Sequence, residues 1–586
     1  MTKKITDLPE EVITIILKDK KISIEDVFNF QATCKRFHHI LLNNKFWEKK
    51  YYKRCPTAKK KYNKEKKEKI FNDFKIDFKK EIKLSLEYIT KIKQLQHMVT
   101  VMVENIISDS AIKILKSELY FSLEHYLCTI AKKSTLYYFV VDELNRIISA
   151  KQLWESSCNL TTIYDHSTFF RRLKQHRVMY KIDKLMNMPK EKQLFERLFT
   201  IAIQYFQPHV SYSAIKTWLD IIAKKILSRL KNIYPTHSIF STPDDQFFIW
   251  RDNNINDNYW NETEARQIMN VLEEFIFFDL KNHEFLKFDV EDKYIDFISE
   301  CVREYLLLPF IYDSVARRLG IRCVLRGLGL NNIVITWKPK YNTENMFNAE
   351  YFYVDEKSSQ NYPLNIIRGT YNDINHYPFC FPSMISSIFT NDKLSKINLK
   401  RNKWELSILS RLLSDERYIL IRPITLRFDM LKEKQPKVRT HEVKYAIGMI
   451  VQHLADYHFN IMECFPTERN NNHIGVIIGW HFKCEYLLVE ESFYSIFPYC
   501  SHTSDLHNCS YVGFQNEPHY LILTEKDQLC YFPQRFISHY PPKWIDNVEI
   551  GRYFCRFEGT HYVPNEWLAR IYSKDYAAVL ESVSLQ

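Results

Sequence analysis

Cys500, His502, His507 and Cys509 bring four residues of metal-binding type into one short stretch. Their spacing, Cys-x-His-x4-His-x-Cys, fits no tetrahedral zinc module, so a polar surface loop and no metal are expected. A thiol can also act as a nucleophile, but an imidazole must then take its proton and a carboxylate must orient the imidazole. The thirteen cysteines, an odd number without a Cys-x-x-Cys pair, fit reduced thiols of the cytoplasm or nucleus better than a disulfide framework. All ten glycines lie at Gly320 or later. P-loops, dinucleotide folds and kinase loops need glycine where backbone approaches phosphate, so the first half of the chain holds none of them, and no cofactor is predicted.

Several domains must carry these side chains, because 586 residues leave room for roughly three to four at about 150 residues each. No apolar run approaches the ~18 residues that span a bilayer, and Met1–Asp7 is no apolar signal core, so a soluble intracellular protein without membrane contact is expected. The net charge is +12, and residues 51–95 supply much of it with 15 Lys/Arg against 6 Asp/Glu. There Ile70, Phe71, Phe74, Phe78, Ile82 and Leu86 alternate with lysine runs, as in a helix with a solvated basic face. Residues 442–586 carry 10 basic and 17 acidic side chains, a balance that argues against a polyanion such as DNA.

Residues 5–50 read as three short helices. Asp7-Leu8-Pro9-Glu10-Glu11 starts the first, with carboxylates favouring its positive end. Val12, Ile13, Ile15, Ile16 and Leu17 cover more than one face, and so small a unit cannot bury them all. A partner is implied. Leu8-Pro9-x-Glu11-Val12, Ile16, Asp26, Cys34-Lys35-Arg36-Phe37 and Phe46-Trp47 together resemble an F-box. That resemblance implies docking to a Skp-family adaptor through Leu8, Pro9, Val12, Ile16, Phe37 and Trp47.

Residues 96–235 continue as glycine-free helices, and the Asn/Asp-rich residues 236–270 read as a long loop. After helical periodicity over Tyr294–Leu319, β-branched alternation begins at Ile321–Leu325, Ile333–Trp337 and Tyr351–Val354, an α+β order. Val315–Arg322, Asn331–Trp337 and Phe352–Asp355 resemble the SirB-like branch of the transglutaminase-like superfamily. Active members place a nucleophilic Cys, a His and an Asp at three slots, which here fall at Tyr305, at Asn331 or Asn332, and at Asp355. Cys301, one turn before the first slot, and Cys323, on the following strand, have no base in the expected place. A non-catalytic domain is therefore expected.

From Tyr445 short strands carry six of the ten glycines, as bulged and curved strands require, and a small β-barrel is predicted. Ile447-Gly448-x-Ile450-Val451-x-His453, Gly475–Trp480 and Gly551-Arg552-Tyr553-Phe554 through Gly559–Asn565 resemble the YccV-like, hemimethylated-DNA-binding type of domain. Trp480, Tyr553, Phe554 and Tyr562 are the side chains a protein interface favours. His561 is either a binding residue or a buried turn histidine.

In this order the three segments resemble the F-box only protein 21 family, from which the Leu454–His473 insertion and residues 371–440 depart. The expected fold is multidomain α+β: an F-box (1–55), a helical region (56–190), a transglutaminase-like middle (191–370), a connecting segment (371–440) and a YccV-like barrel (441–586). The resemblance implies a substrate receptor of an SCF-type cullin-RING ubiquitin ligase. Its partners would be the adaptor, cullin, a RING protein and a target, and it would perform no bond chemistry. DNA binding through the last domain and a thiol hydrolase in the middle are the alternatives.

Overall fold

The computed structural model describes residues 5–19, 21–59, 77–104, 124–148, 159–206, 211–279, 308–328, 332–341, 349–355, 365–370, 437–453, 473–484, 516–525, 529–547 and 549–584. Helices dominate the first half, and every described strand follows Val324. No described helix is long and apolar enough to cross a membrane. The chain divides into two compact units: Met1–Cys55, Asp77–Leu173 and Arg422–Gln586 form one, Pro56–Ile76 and Lys174–Ile421 the other.

The first unit opens with α1 (Glu10–Leu17), α2 (Ile24–Thr33), α3 (Lys35–Ile40) and α4 (Asn44–Arg54). Four helices stand where three were expected, because Phe46 and Trp47 begin a further helix instead of closing the unit. Ser23 and Asp26 form a reciprocal capping box that satisfies two otherwise orphaned amides at the start of α2. Tyr51 of α4 is buried between Phe78 of α5 (Phe78–Glu104) and Phe139 of α6 (Ser134–Ile148), and its hydroxyl donates to the Thr135 carbonyl at 2.7 Å. That contact fastens the N-terminal block to the helices after it.

The same unit holds the C-terminal sheet. Strands β5 (Ile450–His453), β6 (His473–His481), β7 (His519–Thr524), β8 (Leu529–Pro533) and β9 (Ile537–His539) pair antiparallel in the order β8-β7-β6-β5-β9. A separate hairpin joins β10 (Phe554–Phe557) to β11 (Tyr562–Pro564). The register of β6 on β7 shifts between Ile477 and Gly479, where a Cβ on Gly479 would come 2.9 Å from the Leu521 side chain. Among the described pairings β8 and β9 are sheet edges and are not joined to each other. The first half of α7 (Leu160–Met186) lies in this unit, and Leu160 is part of the sheet's apolar core.

The second unit packs α8 (Phe195–Phe206), α9 (Tyr212–Ile233), α10 (Asp244–Asp252), α11 (Glu262–Glu273) and α12 (Leu308–Arg318) around Trp218, Ile222, Ile268, Leu272 and Val315. A meander β1 (Val324–Leu328), β2 (Asn332–Trp337), β3 (Glu350–Asp355), β4 (Asn365–Thr370) follows, each strand antiparallel to the next. The expected loop 236–270 is thus interrupted. Pro243 caps the start of α10, Asp244 and Asp245 stand in its first turn where the helix dipole favours them, and the helix buries Trp250. Glu196 is buried with Arg317 and Arg318, each at 2.7 Å, and Arg318 also reaches Asp220 at 2.8 Å. Removing Glu196 would leave both buried guanidinium groups without their shared carboxylate. Gly320 has φ of +77°, and a Cβ there would meet Trp250 and Trp260 at 2.9 Å, so only glycine turns the chain from α12 toward β1.

Candidate functional site

The N-terminal helices put an apolar stripe in water. Pro9 sets the extended entry of α1, and Arg36 donates to the Leu8 carbonyl at 2.8 Å, which holds the Leu-Pro turn. Ile13 and Leu17 are buried, while Val12, Ile15 and Ile16 are 38%, 68% and 41% exposed and Ile5, in the turn before, is 52% exposed. Positions 12, 15 and 16 are three and four residues apart, so they form one continuous helix face. Scattered exposed apolar side chains are ordinary, but this contiguous set is what an interaction surface looks like. Leu8 is half-buried and Pro9 exposed, at the entry to the stripe.

Phe37 and Trp47 do not belong to that surface. Trp47 is fully buried, stacks on Phe28 at 4.6 Å and donates its indole N–H to the Leu41 carbonyl at 2.7 Å. Phe37 is buried and stacks on Phe30 at 4.0 Å. Both build the core behind the stripe, because large aromatic faces in so small a unit are its main source of buried area. At the end of α1, the buried Lys50 donates to the carbonyls of Leu17, Asp19 and Ile22 at 2.7 to 2.8 Å. The Leu17 carbonyl is an orphaned acceptor of the kind every helix C-terminus leaves, and the other two belong to the loop that follows. Nothing in the sequence pattern marked Lys50, which looks like one of many surface lysines.

In the middle unit, Tyr305, Asn331 and Cys301 lie outside the described residues. Asn332 opens β2 and Asp355 closes β3. The β2/β3 register pairs Ile335 with Phe352, Thr336 with Tyr351 and Trp337 with Glu350. Cys323 precedes β1, and burial first, then Asp313 and Glu273, push its thiol well above the usual range. A reactive thiol needs the opposite environment, one that favours the thiolate. Burial also raises the Asp313 carboxyl to about 7, an effect opposed by Arg317 and reinforced by Glu196.

The C-terminal aromatics require a correction. Trp480, Tyr553, Phe554, His561 and Tyr562 are all buried, so none offers surface to a partner. Trp480 donates its indole N–H to Asp575 at 2.9 Å, and the Tyr562 hydroxyl accepts the Ile545 amide at 2.7 Å. His561 is the buried turn histidine: its Nδ1 meets the Thr560 hydroxyl at 2.9 Å, and burial holds its pKa below the ordinary value. The Phe554 carbonyl accepts from the Thr161 hydroxyl of α7 at 3.1 Å, and Arg171 of α7 pairs with Glu549 at 3.1 Å. These aromatics are therefore buried by this chain itself: α7 packs on the Tyr553-Phe554 step, and Trp480 and Tyr562 are covered within the C-terminal domain. The basic residues nearby are also engaged. Lys543 pairs with Glu525 at 2.9 Å, Arg556 with Glu558 at 2.7 Å, and Arg552 is buried beside Glu549. The metal-type residues Cys500–Cys509 and most of the Leu454–His473 insertion lie outside the described residues.

Residues 5–49 match the F-box domain family, and residues 443–561 match the family described as "Hemimethylated DNA-binding protein YccV like". The chain therefore carries an F-box segment and a YccV-like segment. It is related to the F-box only protein 21 family: it is 26% identical over 187 residues to F-box only protein 21 of Pongo abelii and of Homo sapiens, covering 32% of this chain and 22% of theirs. The Mus musculus protein of the same name is 36% identical over 69 residues, 12% of this chain and 11% of its own. The matched stretch thus spans about a fifth of the length of these curated relatives. No solved structure matches the chain.

Proposed function

We propose that this protein is a substrate receptor of an SCF-type cullin-RING ubiquitin ligase, docking a Skp-family adaptor through the F-box and presenting a target protein for ubiquitination. The observation that carries the proposal is the exposed stripe of Ile5, Val12, Ile15 and Ile16 on an F-box whose core is built from Ile13, Leu17, Ile24, Val27, Phe37, Phe46 and Trp47. Full burial of one such side chain contributes about 1.5–3 kcal/mol, enough for several to hold a partner. The receptor's contribution is proximity: it raises the effective concentration of target lysines near the charged ubiquitin carrier, and it makes or breaks no bond itself. We read the middle as a SirB/transglutaminase-like, non-catalytic domain and the C-terminal strands as a small barrel. The reduced thiols suit a site of action in the cytoplasm or nucleus.

DNA binding through the YccV-like domain is the second reading, favoured by that family's description. The pairing of Lys543 and Arg556 with acids weighs against it, since phosphate contacts need free cations. A thiol hydrolase is disfavoured by the raised Cys323 thiol. Affinity purification of the full chain from cells tests the proposal. Adaptor and cullin should co-purify in stoichiometric amounts, and their absence would remove the ligase reading.

A further inference from the structure

Arg552 is buried in the first unit, where residues 549–554 lie against the first half of α7. Its Nε and Nη2 have no hydrogen-bond partner among the described residues. Those two nitrogens share one edge of the guanidinium, the edge that grips an anion through two parallel N–H groups. Glu549 offsets the charge only in part: it comes no nearer than 3.8 Å, and to Nη1, which is not on that edge. Its Oε1 accepts instead from Arg171 of α7 at 3.1 Å. The Tyr553 hydroxyl, on a ring centred 5.9 Å from the guanidinium carbon, is a further buried donor without a partner among the described residues. Backbone contact between Gly551 and Leu160 pins the neighbouring Arg552 against α7.

We propose that the Nε–Nη2 edge of Arg552 binds one small monovalent inorganic anion of chloride size. A buried charge is costly unless a counter-charge pairs with it, and here one carboxylate is divided between two arginines. Water could accept from the two N–H groups but would leave the charge in place. The occupant must be small, because Arg552 and Tyr553 are 2% and 1% exposed and neither a nucleic-acid phosphate nor a peptide carboxylate reaches them. The anion would fasten the YccV-like segment to α7, a role independent of the exposed α1 stripe.

The test is thermal unfolding of the full chain at constant ionic strength, with potassium gluconate, too bulky to enter, replaced stepwise by potassium chloride. The melting temperature should rise saturably, by about 2–4 °C at roughly 150 mM chloride. Arg552→Met should abolish the chloride dependence. Glu549→Gln has the opposite sign: it withdraws the competing carboxylate and should lower the half-saturating chloride about threefold or more, which keeps the proposal open to test where Arg552→Met does not fold. Lys574→Gln, at an exposed cation of the same unit, should leave the response unchanged. The proposal is overturned by a melting temperature indifferent to chloride, the result expected if water fills the edge. A chloride response that survives in Arg552→Met, or that Lys574→Gln removes, overturns it as well.

Discussion

Gly551 sits so close to Leu160 that a Cβ on it would fall 2.1 Å from the Leu160 carbonyl oxygen. No real Cβ tolerates that distance, so the hairpin region and the start of α7 meet backbone to backbone. Gly551→Ala is expected to destabilise the first unit by about 1–3 kcal/mol, because neither backbone can give without disturbing the Thr161 and Arg171 contacts. Urea denaturation followed by tryptophan fluorescence measures it, and an unchanged midpoint would show that the two segments are not packed this way.

Val12→Asp with Ile16→Asp should reduce adaptor capture by at least about tenfold, since each side chain is offered for burial at about 1.5–3 kcal/mol. The melting temperature should stay near that of the unaltered chain, both positions being exposed. Ile13→Ala makes the opposite comparison: it removes a buried side chain and should cost about 2–5 kcal/mol of stability. Adaptor pull-down read beside melting curves separates the two effects; loss of stability in the double variant would mean the stripe is already covered.

Asp313 makes stability depend on pH in an unusual direction for a carboxylate. Its pKa is raised from 3.8 to about 7, so between those values the folded chain binds more protons than the unfolded one. Stability from this group is therefore present below about pH 4 and lost as pH rises through 7. Asp313→Asn should flatten that part of the profile. Denaturation midpoints at pH 5 and pH 8 decide it: the fall between them should be smaller in the variant, and an identical fall in both proteins would mean that Asp313 titrates normally.

Hemimethylated and unmethylated duplexes of one sequence should compete equally for the full chain at about 150 mM salt, because any DNA contact would come from lysine charge and not from the YccV-like domain. Competition binding by fluorescence anisotropy supplies the ratio. A preference above about tenfold for the hemimethylated duplex would establish the second reading.

The F-box was legible because its signals are local. The Leu8-Pro9 start, the apolar spacing of α1 and the Phe46-Trp47 pair all act within a few turns of one another. The strands at Asn332–Trp337 and Glu350–Asp355 were legible for the same reason, through β-branched alternation. Helix α10 was missed because the surrounding Asn and Asp residues outweighed its Pro243-Asp244-Asp245 entry. The C-terminal aromatics were misjudged because residue type says that a side chain wants burial, not whether a partner or the same chain buries it. Leu160 is far from Gly551 in sequence, and no periodicity carries that information. Asn258, whose amide holds the Lys338 and Pro339 carbonyls and whose oxygen accepts the Arg322 amide, looked like one more polar loop residue.

The bond between Thr161 and Phe554 joins residues 393 positions apart. At about 5–20 residues per second of synthesis, roughly 20–80 s pass between the appearance of α7 on the ribosome and the arrival of the segment that covers it. During that interval Leu160 and Tyr164, both buried in the finished fold, lack the Gly551 segment that packs against them. The first unit cannot be completed from the N-terminus onward; it waits for residues beyond Glu549. A nascent or prematurely terminated chain therefore displays an apolar helix face that the full-length protein never shows, the kind of surface on which chaperones act.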